Sequence, residues 1–166
     1  MTGDCIDLTP LFSLQAALDE EIAAIHGVDY ESTFSRRLLA LLVELGEFAN
    51  ETRCFKYWSY KAPSPKEVIL DEYADGLHFF LSLGIPLGVS TYRHYFRVEE
   101  KDLTQAILNV YRLAIELDEE YTVEQYAKAF GAYLNLIPLF DYGEDEVLEA
   151  YVKKLSTNHK RQEDHY

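Results

Sequence analysis

Glu44 and Glu47 stand three residues apart, and so do Glu72 and Asp75. On a helix that spacing projects both carboxylates to one side, about one turn apart. Around the first pair, the stretch 38–49 carries no other charge. Leu38, Leu41, Leu42, Leu45 and Phe48 form its main apolar face, and Leu39, Ala40 and Val43 cover much of the remainder. A helix so apolar around its circumference is usually buried. The second pair, with Asp71 and His78, is set among Ile69, Leu70, Leu77, Phe79, Phe80, Leu81 and Leu83. Carboxylates desolvated together repel, and at least one takes up a proton unless a cation lies between them. Hard oxygen donors of this kind suit Mg2+, with Mn2+ as a substitute, and such ions keep waters and favour phosphate-bearing partners.

A single such pair in an acidic chain is most often a solvated helix face. Two pairs on consecutive apolar helices favour a shared pocket instead. Asp75 and His78 also have the spacing of half a di-iron carboxylate site. The second half is missing, because the residues three before His26, His94, His159 and His165 are Ala23, Thr91, Ser156 and Gln162.

Composition narrows the partners. With 29 acidic against 15 basic side chains and a formal net charge of −14, the chain lacks the basic footprint that nucleic acid or an anionic membrane surface requires. A hydrophobic content of 48% excludes a disordered polyanion. Cys5 and Cys54 are the only cysteines, too few for a disulfide-stapled module or a thiolate zinc site. No run of about 18 apolar residues exists to span a bilayer. Thr2, Gly3 and Asp4 do not begin a secretory signal. The expectation is a soluble, cytoplasmic protein with reduced thiols.

The elements that must position the acids are helical. Thr9-Pro10 reads as a cap and first turn, followed by Leu11, Leu14, Leu18 and Ile22 at helical spacing until Gly27. A second helix is expected from near Glu31 to about Thr52, and an aromatic loop from Arg53 to Pro63. Ser64-Pro65-Lys66-Glu67 has the form of a capping box opening a third helix that stops at Gly84 and Pro86. Further helices are expected over 99–117, from the Thr122/Gln125 capping box to before Pro138, and over 144–155. Strand alternation and fixed-period repeats are absent. The reading is an all-α bundle with the two acid-bearing helices antiparallel, as one domain over 1–155, and a polar tail over 156–166.

Three further stretches join the acids in a recognisable order. Glu44-Leu-Gly-Glu47, Cys54-Phe-Lys56-Tyr-Trp58-Ser59 and Glu72-Tyr-Ala-Asp75-Gly-Leu-His78-Phe79 resemble the all-α NTP pyrophosphatase (MazG-like) superfamily, and within it the dimeric dUTPase branch. Leu14-Gln15 with Leu18-Asp19 is similar to the branch's first helix, and Lys154, Asn158, Arg161, Gln162 and Tyr166 match its closing motif. The resemblance implies a homodimeric dUTP diphosphatase that releases dUMP and pyrophosphate. It implies that Glu44, Glu47, Glu72 and Asp75 hold Mg2+ and that Glu47 helps to deprotonate the attacking water. Lys56, Lys154 and Arg161 would contact phosphates, and the segment Asn158 to Tyr166 would close over substrate. Gln15 offers an acceptor and a donor to a uracil edge, Trp58 packs on base or sugar, and His78 is either a core histidine or a ligand contact. Two other readings stay open: a pyrophosphatase of other or damaged nucleotides, and a catalytically silent acidic interaction protein.

Overall fold

The computed structural model describes residues 3–165. Six helices carry the fold: α1 (Thr9–His26), α2 (Tyr30–Thr52), α3 (Lys66–Gly84), α4 (Leu103–Ile115), α5 (Val123–Leu134) and α6 (Glu144–Glu163). Single 3-10 turns follow α3, α4 and α5. Two three-residue strands, β1 (Cys5–Asp7) and β2 (Arg93–Tyr95), pair antiparallel and tie the chain's start to the connection after α3. The all-α architecture expected from the helical spacing is therefore observed, with this small ribbon added.

Helices α2 and α3 run antiparallel. Arg37 meets Ser82, Glu44 meets Asp75, and Glu51 meets Ser64, so positions rise along one helix as they fall along the other. Their shared face buries Leu38, Leu41, Leu45 and Phe48 against Tyr73, Leu77, Phe80 and Leu81. Fully burying each such side chain is worth roughly 1.5–3 kcal/mol. That apolar contact sets the register in which the acids meet.

Local signals explain most boundaries. Asp29 caps α2 through Ser32 in a reciprocal capping box, and the Asp102 and Thr122 side chains cap α4 and α5 through the Gln105 and Gln125 amides. Helix α1 ends at Gly27, whose φ of 64° is the left-handed conformation that glycine adopts without Cβ strain. Three expectations change. Thr9 is the first residue of α1 rather than its cap, and its hydroxyl accepts the Tyr92 amide at 3.0 Å. Ser64 does not cap α3, because its hydroxyl donates to the Glu51 carboxylate and ties the two ends of the aromatic loop together. The stretch 99–102 lies outside α4, which begins only after its Asp102 cap.

A ring of tyrosines grips α3. Tyr133 donates its phenol hydroxyl to the Tyr73 carbonyl at 2.5 Å, and Tyr126 donates to Phe80 at 2.7 Å. Tyr121 donates to Leu83 at 2.5 Å, and Tyr142 to Lys66 at 3.3 Å. Tyr73 returns the bond to Tyr133 O at 2.9 Å, with the two rings stacked at 4.3 Å. A buried hydroxyl without a partner would cost about 1–3 kcal/mol, so these carbonyls are what allow so many tyrosines into the core.

Candidate functional site

The acid pairs meet. One carboxylate oxygen each from Glu44, Glu72 and Asp75 lies within 4.8 Å of the others, a spacing at which one cation can bind all three. Glu47, three residues on from Glu44, lies at the exposed rim, and its charge adds to those that raise Glu44 and Glu72. Burial pushes the Glu44 carboxyl up to about 8, with the charges of Asp75, Glu47 and Glu72 adding to it. Burial and the Asp75 charge push Glu72 up to about 7. Burial also raises Asp75, although the Lys154 ammonium opposes it. Among the described residues Glu44 Oε2 and Glu72 Oε2 are buried without a hydrogen-bond partner. Buried polar atoms are rarely orphaned, and two carboxylate oxygens orphaned side by side suit a hard divalent cation. The donor set fits such an ion.

Lys154 closes the cluster from α6. Its ammonium bonds Asp71 at 3.0 Å and Asp75 at 3.2 Å while its side chain is largely buried. Asp71 stands four residues before Asp75, so both point to the same cation.

Beside the acids opens a cavity of about 710 Å³. Glu44 and Asp75 line it, as do Gln15 and Asp19 of α1, Arg37 of α2, and Asn158 and Arg161 of α6. Gln15 is buried at its wall. Its carbonyl oxygen accepts from His78 Nδ1 at 2.6 Å and from the Tyr151 hydroxyl at 2.9 Å, and its amide nitrogen donates to Asp19 at 2.9 Å. Asp19 also accepts from the Tyr30 hydroxyl at 3.0 Å and is bonded by Ser82. Burial pushes the His78 imidazole down to about 4, so the ring is neutral with its proton on Nδ1. Arg37 donates to Ser82, to the Tyr30 carbonyl and to the Thr33 hydroxyl, and its guanidinium stacks over the Tyr30 ring.

The structure thus brings together Glu44, Glu47, Glu72, Asp75 and Lys154, and sets Gln15, His78, Asn158 and Arg161 around one adjoining cavity. Lys56 and Trp58 are elsewhere. Both sit on the loop after α2, outside the cavity wall, with Trp58 63% exposed and packed edge-on to Phe55 and Tyr57. Tyr166 lies outside the described residues. The segment expected as a tail continues α6 as far as Glu163, held on α1 by His159 Nδ1 to Glu21 at 2.5 Å and His26 Nε2 to Gln162 at 3.0 Å. Sequence reasoning missed Arg37, Tyr30, Ser82 and Tyr151. For Arg37 a signal existed, because it precedes Glu44 by two helical turns and so shares its face.

The carboxyl shifts give a pH dependence. Glu44 and Glu72 hold their protons more tightly in the folded chain, so the stability they supply is full below the ordinary value of 4.5 and disappears as pH rises through about 7 and 8. His78, with its value lowered from 6.5, acts in the opposite sense but only below pH 6.5. Between about pH 6.5 and 8 the metal-free protein should therefore lose melting temperature, read by differential scanning calorimetry in EDTA. Excess Mg2+ should flatten that slope.

Among the described residues no helix is long and apolar enough to cross a membrane. No curated protein matches the chain. A family model described as dUTPase matches residues 7–166, which takes in the acid cluster, the cavity wall and all of α6. On that match the chain belongs to the dUTPase family.

Proposed function

We infer that this chain hydrolyses dUTP to dUMP and pyrophosphate with Mg2+, for which Mn2+ can substitute, held by Glu44, Glu47, Glu72 and Asp75. The observation that carries the reading is the pair of orphaned, buried carboxylate oxygens on Glu44 and Glu72, beside a cavity large enough for a deoxynucleoside. A divalent ion there, when bound, supplies charge neutralisation for the phosphate chain and a lowered pKa for an attacking water. Glu47, at the open rim of the cluster, accepts the proton of that water. Lys154 stands at the cluster's edge to meet a phosphate, and Arg161 offers a forked donor from the same helix. Gln15 and His78 face the base and sugar, and Asn158 shares the cavity wall with them.

Several apolar side chains support a homodimer: Leu39 and Val43 of α2 and Leu108 and Ile115 of α4 remain about half exposed or more. In such a dimer Lys56 and Trp58, outside this chain's own cavity, would reach nucleotide from the partner's loop. Sedimentation at micromolar protein should give twice the chain mass.

One assay tests the function. Pyrophosphate release from dUTP, dCTP and dTTP is measured with Mg2+ and with EDTA, for the wild type and for Glu47→Gln. The expected result is turnover of dUTP well above that of dCTP and dTTP, lost in EDTA and reduced at least about a hundredfold in Glu47→Gln. Equal rates on the three nucleotides would leave the chemistry standing and remove the dUTP preference. Unchanged turnover in Glu47→Gln would remove the base role.

A further inference from the structure

An amide side chain carries one acceptor and two N–H donors, and rotation by half a turn exchanges them. A free glutamine could therefore greet a carbonyl oxygen or an amino group on a nucleobase equally well. Gln15 is not free. Its oxygen is consumed by the His78 Nδ1 proton at 2.6 Å and the Tyr151 hydroxyl at 2.9 Å, and one of its N–H groups is consumed by Asp19 Oδ1 at 2.9 Å. Turning the amide over would press its oxygen against the Asp19 carboxylate, a contact between like partners inside a buried site, where such a mismatch is costly. Asp19 cannot turn away, because Tyr30 of α2 bonds its other oxygen at 3.0 Å and Ser82 of α3 bonds it as well, with the Arg37 charge nearby. The Tyr151 ring is stacked on His78 at 4.3 Å, which fixes the hydroxyl from the side of α6. What remains for the cavity is one N–H of Gln15 together with Nε2 of the neutral His78 ring, a buried acceptor without a partner among the described residues.

We propose that Asp19 and Tyr151 are positioning residues that hold Gln15 as a donor only, so that its remaining N–H pairs with the O4 carbonyl of uracil and not with the 4-amino group of cytosine. The acceptor that the sequence seemed to offer to a base is spent inside the protein. A cytosine amine facing this N–H would meet donor with donor and stay unsatisfied in a dry pocket. Thymine carries the same O4, so this device does not read the 5-methyl group, and exclusion of thymine falls to the shape of the cavity.

The inference rests on the dUTP reading, and its test separates the two. Values of kcat/KM for dUTP, dCTP and dTTP are measured for the wild type, Asp19→Asn and Tyr151→Phe. An asparagine offers either face to Gln15, so the amide is no longer pinned from that side. The expected result in Asp19→Asn is a fall of about tenfold or more in the preference for dUTP over dCTP, with the preference for dUTP over dTTP unchanged. Tyr151→Phe keeps the ring on His78 and removes one bond to the Gln15 oxygen, so it should shift the same ratio in the same direction by less. It also decides the matter should Asp19→Asn not fold. A parallel loss of turnover on all three nucleotides, or an unchanged dUTP to dCTP ratio, overturns the positioning role while leaving the dUTPase intact. A wild type that does not prefer dUTP to dCTP overturns this inference together with the base specificity.

Discussion

Glu44→Gln is expected to cut kcat/KM for dUTP on the order of 10³-fold while raising the melting temperature of the metal-free protein at pH 8. The two effects have opposite signs because they come from the same crowding. Glu44, Glu72 and Asp75 present oxygens within 4.8 Å of one another, and burial with mutual repulsion holds the Glu44 carboxyl near 8. Without a cation, ionising that group is unfavourable, and a neutral amide of the same shape relieves the strain. With substrate, the missing ligand costs several kcal/mol of transition-state charge stabilisation, and each 1.4 kcal/mol is about tenfold in rate. Steady-state kinetics in Mg2+ and calorimetry in EDTA read the two quantities separately. A variant that loses activity and metal-free stability together would point to Glu44 as a packing residue instead. The slope of melting temperature against pH between 6.5 and 8 should also shrink in this variant.

The second large effect is on folding. Gly76→Ala should destabilise the chain by about 3 kcal/mol or more, a drop of roughly 6–12 °C in melting temperature for a domain of this size. Gly76 follows Asp75 on α3 and faces α5, where an added Cβ would fall on the Tyr133 hydroxyl and 2.9 Å from its Cζ. Tyr133 cannot yield. It is fully buried, donates to the Tyr73 carbonyl and stacks on the Tyr73 ring. Gly46→Ala is the internal comparison, because its Cβ would stand 3.2 Å from the end of the half-buried Tyr111 and should cost far less. Urea denaturation of both variants checks the ranking. Equal stabilities would mean that α3 and α5 separate without cost.

The acid cluster was legible because charge inside an otherwise apolar helix breaks the pattern that surrounds it. Glu44 interrupts the run from Leu38 to Phe48, and Glu72 and Asp75 interrupt the next helix, so spacing alone placed them on shared faces. The ribbon was not legible, since strands of three residues are too short for alternation to show. The last turns of α6 were hidden for a different reason. Residues 156–163 are polar on every side, and what holds them helical is tertiary, namely Glu21 and His26 of α1, more than 130 residues away, assisted by Lys160 and Arg161 at the helix end. The clamp on Gln15 is likewise non-local. His78 and Tyr151 lie 63 and 136 residues from it, and nothing in the neighbourhood of Gln15 announces that its oxygen is already taken.

The phenol hydroxyls bonded to the Lys66, Tyr73, Phe80 and Leu83 carbonyls set a hierarchy of motion. Each gives α3 an extra tether beyond its own turns, so its amide protons should exchange only when the entire chain opens. The aromatic loop after α2, where Tyr57 and Tyr60 stand almost wholly in water, would exchange within the native state. Deuterium uptake would then divide the molecule into a slow axis bearing the carboxylates and a fast collar around it.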